Sequence, residues 1–179
     1  MFRFGDSEYP GVGKIVEESG ELLRAIGSAV DSSSVDSVFG DLHRLSVLDE
    51  LADLGAAVAF FVDSLADADR DRVLRASDEE SGRMARVRGS LISATESAIG
   101  GVLQSIGRLM ASSGSDLFFD GSDTRGSLLD GIAVLGATIS AWDSLVSKSA
   151  LAYLGERRAS KFKLFHRFHA EAMEPSRRS

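Results

Sequence analysis

SVLDELADLGAAVAFFVDSL, residues 46–65, decides the fold class. From Leu54 to Val62 the segment is apolar on nearly every side, which suits a buried helix, and it is far shorter than the roughly 20 residues of a membrane span. Its acids gather at the N-terminal end, where Glu50 and Asp53, three apart, project to neighbouring points on one side. Upstream, KIVEESGELLRAIGSAV (14–30) places Ile15, Leu22, Ala25, Ile26 and Ala29 on one helical face. Glu18 falls on that same face, and Glu21 lies at its edge. Pro10 and Pro175, the two prolines, lie near the ends, so everything between them is free to be helical. The spacing predicts an all-α helical bundle with helices at about 13–30, 44–66, 80–113, 126–147 and 148–173. The Ser/Asp/Gly-rich stretches Asp31–Ser37 and Ser112–Asp123 read as loops, and Tyr9–Gly13 as a turn feeding the first helix. Asp67–Arg88, dense in both charge signs, reads as a solvated helix or linker.

An internal repeat organises the chain. SVLDELADLGAAVA (46–59) aligns with SLLDGIAVLGATIS (127–140), with half of the 14 positions identical. GELLRAIG (20–27) aligns with GGVLQSIG (100–107) at nearly the same offset. One domain, residues 1–179, is therefore expected to hold two helix-pair units, about 10–66 and 90–147, followed by a basic C-terminal helix at about 148–173. At the positions matching Glu17, Glu18, Glu21, Glu50 and Asp53, the second unit has Ser97, Ala98, Gly101, Gly131 and Val134. The apolar frame is kept and all five acids are gone, so one half reads as catalytic and the other as structural.

Net charge is −7 and the sequence pI about 5.0, which argues against a broad basic face for nucleic acid. The basic residues concentrate at the end, as Arg157, Arg158, Lys161, Lys163, Arg167, Arg177 and Arg178. An acidic body with a basic tail suits a small polyanion held partly through a metal. There is no cysteine, which excludes disulfides and thiolate metal sites. No charged-then-apolar leader and no span-length apolar run occur, so a cytoplasmic protein with no membrane partner is expected.

A carboxylate aimed at a core is costly unless paired or bound to a metal. Antiparallel helices offering Glu18 and Glu21 from one side, and Glu50 and Asp53 from the other, would converge four carboxylates. Hard divalent cations want that donor set. Di-iron bundles use Glu-x-x-His, whereas the motifs here are Glu-x-x-Glu and Glu-x-x-Asp, so magnesium or manganese is preferred to iron.

The pattern Glu17-Glu18-x-x-Glu21, then Glu50-x-x-Asp53, resembles the signature of the MazG-like all-α nucleoside triphosphate pyrophosphohydrolases. The entry YPGVGKIV (9–16) and the ending KFKLFHRFHAEA (161–172) look like the shorter, phage-associated branch. The resemblance covers about 10–66 and 156–172. It implies metal-dependent attack of water on the α-phosphorus of a (deoxy)nucleoside triphosphate, giving monophosphate and pyrophosphate. By position, Glu18, Glu21, Glu50 and Asp53 bind Mg²⁺, with Mn²⁺ able to substitute and two or more ions per site. Glu17 and Glu18 are the catalytic candidates, Glu17 by binding a second ion or orienting the water. Lys14, one turn before Glu17, is a candidate phosphate ligand. Many relatives carry a Lys-and-Asn element after the second helix, and this chain has no asparagine. Lys161, Lys163 and Arg167 on the last helix are the replacements to expect. The flanks lean toward a purine deoxynucleotide, dGTP first, in the host cytoplasm if the chain is phage-encoded. A homodimer, or a dimer of dimers, is expected.

Other features read as scaffold. His166 and His169 lie three apart but have no third ligand type nearby, and belong with Phe162, Phe165 and Phe168 in a helix stripe. Trp142 matches Phe61 in the repeat and is a core candidate. Gly11-x-Gly13-Lys14 lacks the strand and spacing of a phosphate loop. The alternative to an enzyme is a non-catalytic helical nucleotide-binding or scaffold protein, to which the degenerate half points.

Overall fold

The structure, a computed structural model, describes residues 10–32, 37–84, 91–112 and 121–173. Those residues form six helices and no strand: α1 (Val12–Ser32), α2 (Ser37–Asp63), α3 (Asp67–Met84), α4 (Leu91–Ser112), α5 (Gly121–Asp143) and α6 (Lys148–Met173). The fold is all-α, as the periodicity predicts. Tyr9, Arg177, Arg178 and most of the two expected loops lie outside the described residues. None of the described helices is long and apolar enough to cross a membrane.

Two boundaries differ instructively. Helix α2 begins at Ser37 and α5 at Gly121, each several residues before its expected start, because Ser, Gly and Asp are tolerated in an opening turn. The charge-dense segment after α2 takes the helical alternative and forms α3, held by the one buried residue Val73, with Asp67 and Asp69 in its first turn and Arg83 in its last. The helix expected over 80–113 is therefore divided between α3 and α4.

Helix α1 starts on a turn that only glycine fits. Gly11 has φ 90°, and its carbonyl accepts from Lys14 and Ile15 N–H at 3.0 and 3.1 Å. A Cβ there would sit 2.6 Å from the Phe60 ring, so the turn lies directly on α2. At the other end of the chain, Ser147 caps α6 by accepting from the Ala150 N–H at 3.2 Å.

The helices gather into two compact units, Met1–Ser64 with Ser147–Ser179, and Leu65–Val146. In the first, α2 packs between α1 and α6; in the second, α5 packs between α4 and α3. Helix α2 is buried through Leu51, Leu54, Ala57 and Phe61, and α5 through Leu128, Ile132, Leu135 and Ile139. Trp142, half-buried, donates its ring N–H to Thr95 at 2.9 Å within the second unit.

The repeat runs further than the helix pairs. Asp67 and Lys148, which open α3 and α6, stand 81 positions apart, as do their buried residues Val73 and Leu154. Arg72 of α3 bonds Asp130 of α5 at 2.8 Å, and Tyr153 of α6 bonds Asp49 of α2. Arg72 to Tyr153 and Asp49 to Asp130 are both steps of 81. Each repeat is thus three helices, α1–α2–α3 and α4–α5–α6, with third helices exchanged: α6 completes the first unit and α3 the second.

Candidate functional site

Glu18, Glu21 and Glu50 each bring one carboxylate oxygen within 4.8 Å of the others. Glu18 and Glu21 come from adjacent turns of α1, and Glu50 from α2. Glu18 is 2% exposed, and its Oε2, like that of Glu50, is buried with no hydrogen-bond donor among the described residues. Burial, first of all, raises the Glu18 pKa to about 7, aided by Asp53 and Glu21 and opposed by Lys161 and Lys14. Glu50 is raised for the same leading reason, with Glu21 and Asp53 adding to it and Arg157 and Lys161 working against it.

Asp53, also 2% exposed, is held differently. Arg157 of α6 donates to both its oxygens, Nε and Nη2 at 2.8 Å each, and Lys161 Nζ lies 2.7 Å from Oδ2. The structure therefore brings three of the four expected carboxylates together and gives the fourth to two cations beside them. Tyr153, Arg157 and Lys161 recur every fourth residue along α6, facing Asp49 and Asp53 at the same interval on α2. The hydrogen bond that Arg157 donates to Asp53 leads the causes that push Arg157 above its ordinary pKa. Burial works against the Lys161 charge, but the hydrogen bond and charge of Asp53, with Glu18, leave its pKa raised. Gly55 allows this approach of α6, since a Cβ there would meet the Arg158 side chain at 2.7 Å.

The remaining candidates lie at the margin. Glu17 is exposed and paired with Lys14 at 2.5 Å, and the Lys14 ammonium sits 5.8 Å over the Phe165 ring. Lys163 is exposed, and Arg167 faces Glu171 at 3.7 Å and the Phe168 ring at 5.3 Å. Of the three cations expected from the last helix, Lys161 alone reaches the acids. His166 and His169 are edge-on to Phe60 at 4.9 and 5.7 Å, consistent with a packing stripe. Phe165 is buried, while Phe168 is exposed.

Arg157 is the functional candidate that sequence reasoning missed. It stands in the basic tail, and its spacing of four from Lys161, matching that of Asp49 and Asp53, was the available signal. The donor set fits a hard divalent cation. Buried carboxylate oxygens without donors, gathered with a third, are relieved by a proton or by a bound cation, and no side chain among the described residues donates to them. Compared with protein-family models, curated proteins and solved structures, the chain gives no match.

Proposed function

We propose that the first unit is a divalent-cation-dependent nucleoside triphosphate pyrophosphohydrolase of the MazG-like kind. The observation that carries this reading is the pair of donorless buried oxygens, on Glu18 and Glu50, within one three-carboxylate group. In the reaction, water adds to the α-phosphorus, the α–β bridging P–O bond breaks, and pyrophosphate leaves with the electron pair and the monophosphate as co-product. Glu18, Glu21 and Glu50 would hold the ion, Mg²⁺ or Mn²⁺. When bound, such an ion polarises a phosphoryl oxygen and makes water a better nucleophile near neutral pH. Arg157 and Lys161 hold Asp53 in place and carry positive charge to the edge of the acids, where the α-phosphate needs it. Glu17, at the solvent margin with Lys14, keeps its candidacy for a second ion or for orienting water.

The repeat supports the same reading from a different direction. Arg157 and Lys161 correspond to Ala76 and Glu80 in α3, so the site's cations are absent from the second unit together with its acids. Exchange of third helices also explains why a repeat without acids is retained: its α6 supplies the cations.

The test is pyrophosphate release from the eight common NTPs and dNTPs, with magnesium, with manganese and with EDTA. Turnover abolished by EDTA, and lowered on the order of 10²- to 10³-fold in Glu18→Gln, is expected. The preferred base, dGTP by resemblance alone, emerges from the same panel. Intact nucleotides throughout would sink the enzyme, and tight binding without product would make this a nucleotide-binding protein. A homodimer, or a dimer of dimers, belongs to the proposal and is read from the mass in solution.

A further inference from the structure

Beside the three carboxylates lies a cleft of about 220 Å³ lined by Glu21, Arg24, Ala25, Ser28, Ser46 and Glu50. Its geometry follows from two helix stripes. Glu21, Arg24, Ala25 and Ser28 share one side of α1, and Ser46 lies one turn before Glu50 on α2. Glu21 to Ser28 spans about 10 Å of helix, room for more than one phosphoryl group. The cleft therefore has two of the grouped carboxylates at one end and a guanidinium with two hydroxyls at the other. Arg24 forms no ion pair with the described residues, whereas Arg157 and Lys161 are both committed to Asp53.

The second unit changes the charged residues at these positions. The step that pairs Gly20 with Gly100 and Gly27 with Gly107 pairs Arg24 with Gln104 and Ser28 with Arg108, so the arginine at the Arg24 position is lost with the acids while another stands one turn further on. Glu50 becomes Gly131, and a Cβ on Gly131 would already sit 3.3 Å from Val102 Cγ2 and 3.6 Å from its Cα. At the position of Glu50, α5 therefore approaches α4 closely. The acids and the arginine at the Arg24 position change together, which is expected if they serve one ligand.

We infer that this cleft seats the leaving pyrophosphate, with Arg24 gripping its oxygens and the Ser28 and Ser46 hydroxyls completing the shell. The inference rests on the function proposed above and adds a direction to it: the two distal phosphates run along α1 and α2 toward Arg24, away from α6. A guanidinium fork matches phosphate oxygens in pairs, and the product carrying the most negative charge takes the uncommitted cation.

The experiment is calorimetric titration of inorganic pyrophosphate into the full chain in the presence of Mn²⁺, with Mn²⁺ binding measured separately by its paramagnetic resonance. Wild type is compared with Arg24→Gln, which installs the residue of the second unit, and with Arg24→Lys. The expected result is unchanged Mn²⁺ affinity, pyrophosphate affinity lower by about 10- to 100-fold in Arg24→Gln, and partial recovery in Arg24→Lys. Unchanged pyrophosphate affinity in Arg24→Gln, with Mn²⁺ still bound, overturns the inference and leaves the proposed function standing. Loss of Mn²⁺ together with pyrophosphate in Arg24→Gln also overturns it, because Arg24 would then act on the acids. Failure of the wild type to bind Mn²⁺ removes the proposed function, and the inference with it.

Discussion

The two three-helix units use one frame for different ends. Leu51 and Ile132, Leu54 and Leu135, and Val73 and Leu154 are equivalent buried pairs, and Asp49 with Tyr153 repeats as Asp130 with Arg72. These positions are what the fold needs. Glu18, Glu50, Asp53 and Arg157 give way to Ala98, Gly131, Val134 and Ala76, which bury without charge or leave the helices free to close. The difference teaches that the charged set is dispensable for folding. It also has a cost, since buried like charges oppose one another. The first unit should therefore be the less stable of the two for its size, by an amount that depends on pH.

Glu18→Gln gives the largest expected change in stability. A folded pKa near 7 against 4.5 for the free side chain means that the folded state binds more protons between those values. The contribution of Glu18 to wild-type stability is then fullest below about pH 4.5 and is lost as pH rises through 7. Glutamine, which never ionises, escapes that loss. In EDTA the variant should be more stable at pH 8, by on the order of 3 kcal/mol, and the gain should shrink toward zero near pH 4.5. Melting temperatures of both proteins across pH 4.5–8 measure it. Parallel curves would mean that Glu18 pays no penalty for burial, and the contrast between the units would lose its energetic basis.

Much of this contrast was legible before any coordinates. Glu18 stands on an apolar helix face, and Glu50 and Asp53 are three apart at the polar end of an otherwise apolar helix, so their convergence follows from helical spacing. The limit was reached where partners are set by topology. Helix α3 buries one residue, Val73, and has a sequence dominated by charge, so local pattern could not separate a packed helix from a solvated one. Without α3 the repeat reads as two pairs and a tail, and the matching four-residue spacings of Arg157–Lys161 and Asp49–Asp53 are the sequence's sign that α6 neighbours α2. In the sequence Arg157 is only one basic residue of the tail, whereas Lys163 and Arg167, on other sides of the same helix, stand with Lys161 as expected ligands. Arg24 was passed over because an exposed arginine on an amphipathic helix has no periodic signature; only the cleft beside it gives it meaning.

Arg157→Ala tests whether the α6 cations are structural counter-charges. It strips two hydrogen bonds from a buried carboxylate and leaves Lys161 as the sole cation on it, for an expected loss of about 2 kcal/mol in denaturant unfolding. Adding Asp53→Val writes the second unit's Val134 and Ala76 into the first and should restore most of that stability while metal-dependent turnover stays lost. If the double variant remains as unstable as the single one, the two units do not share a common frame at this position, and the equivalence of α3 and α6 must be redrawn.

The smallest effects discriminate best between frame and chemistry, because they arise at a contact both units keep. Arg72 and Asp130 are half-exposed and exposed, so Arg72→Ala should cost less than about 1 kcal/mol and leave pyrophosphate release unchanged. Tyr153→Phe removes the equivalent hydrogen bond from Asp49, but Asp49 also faces Arg157 Nη1 at 3.4 Å. Freed of the tyrosine, Asp49 draws Arg157 away from Asp53, so turnover should fall several-fold for a comparably small change in stability. The paired assay compares melting temperature with turnover in both variants. Equal, negligible effects on turnover would assign Tyr153 to the frame alone; a fall confined to Tyr153→Phe would show that a scaffold contact in one unit has become a positioning contact in the other.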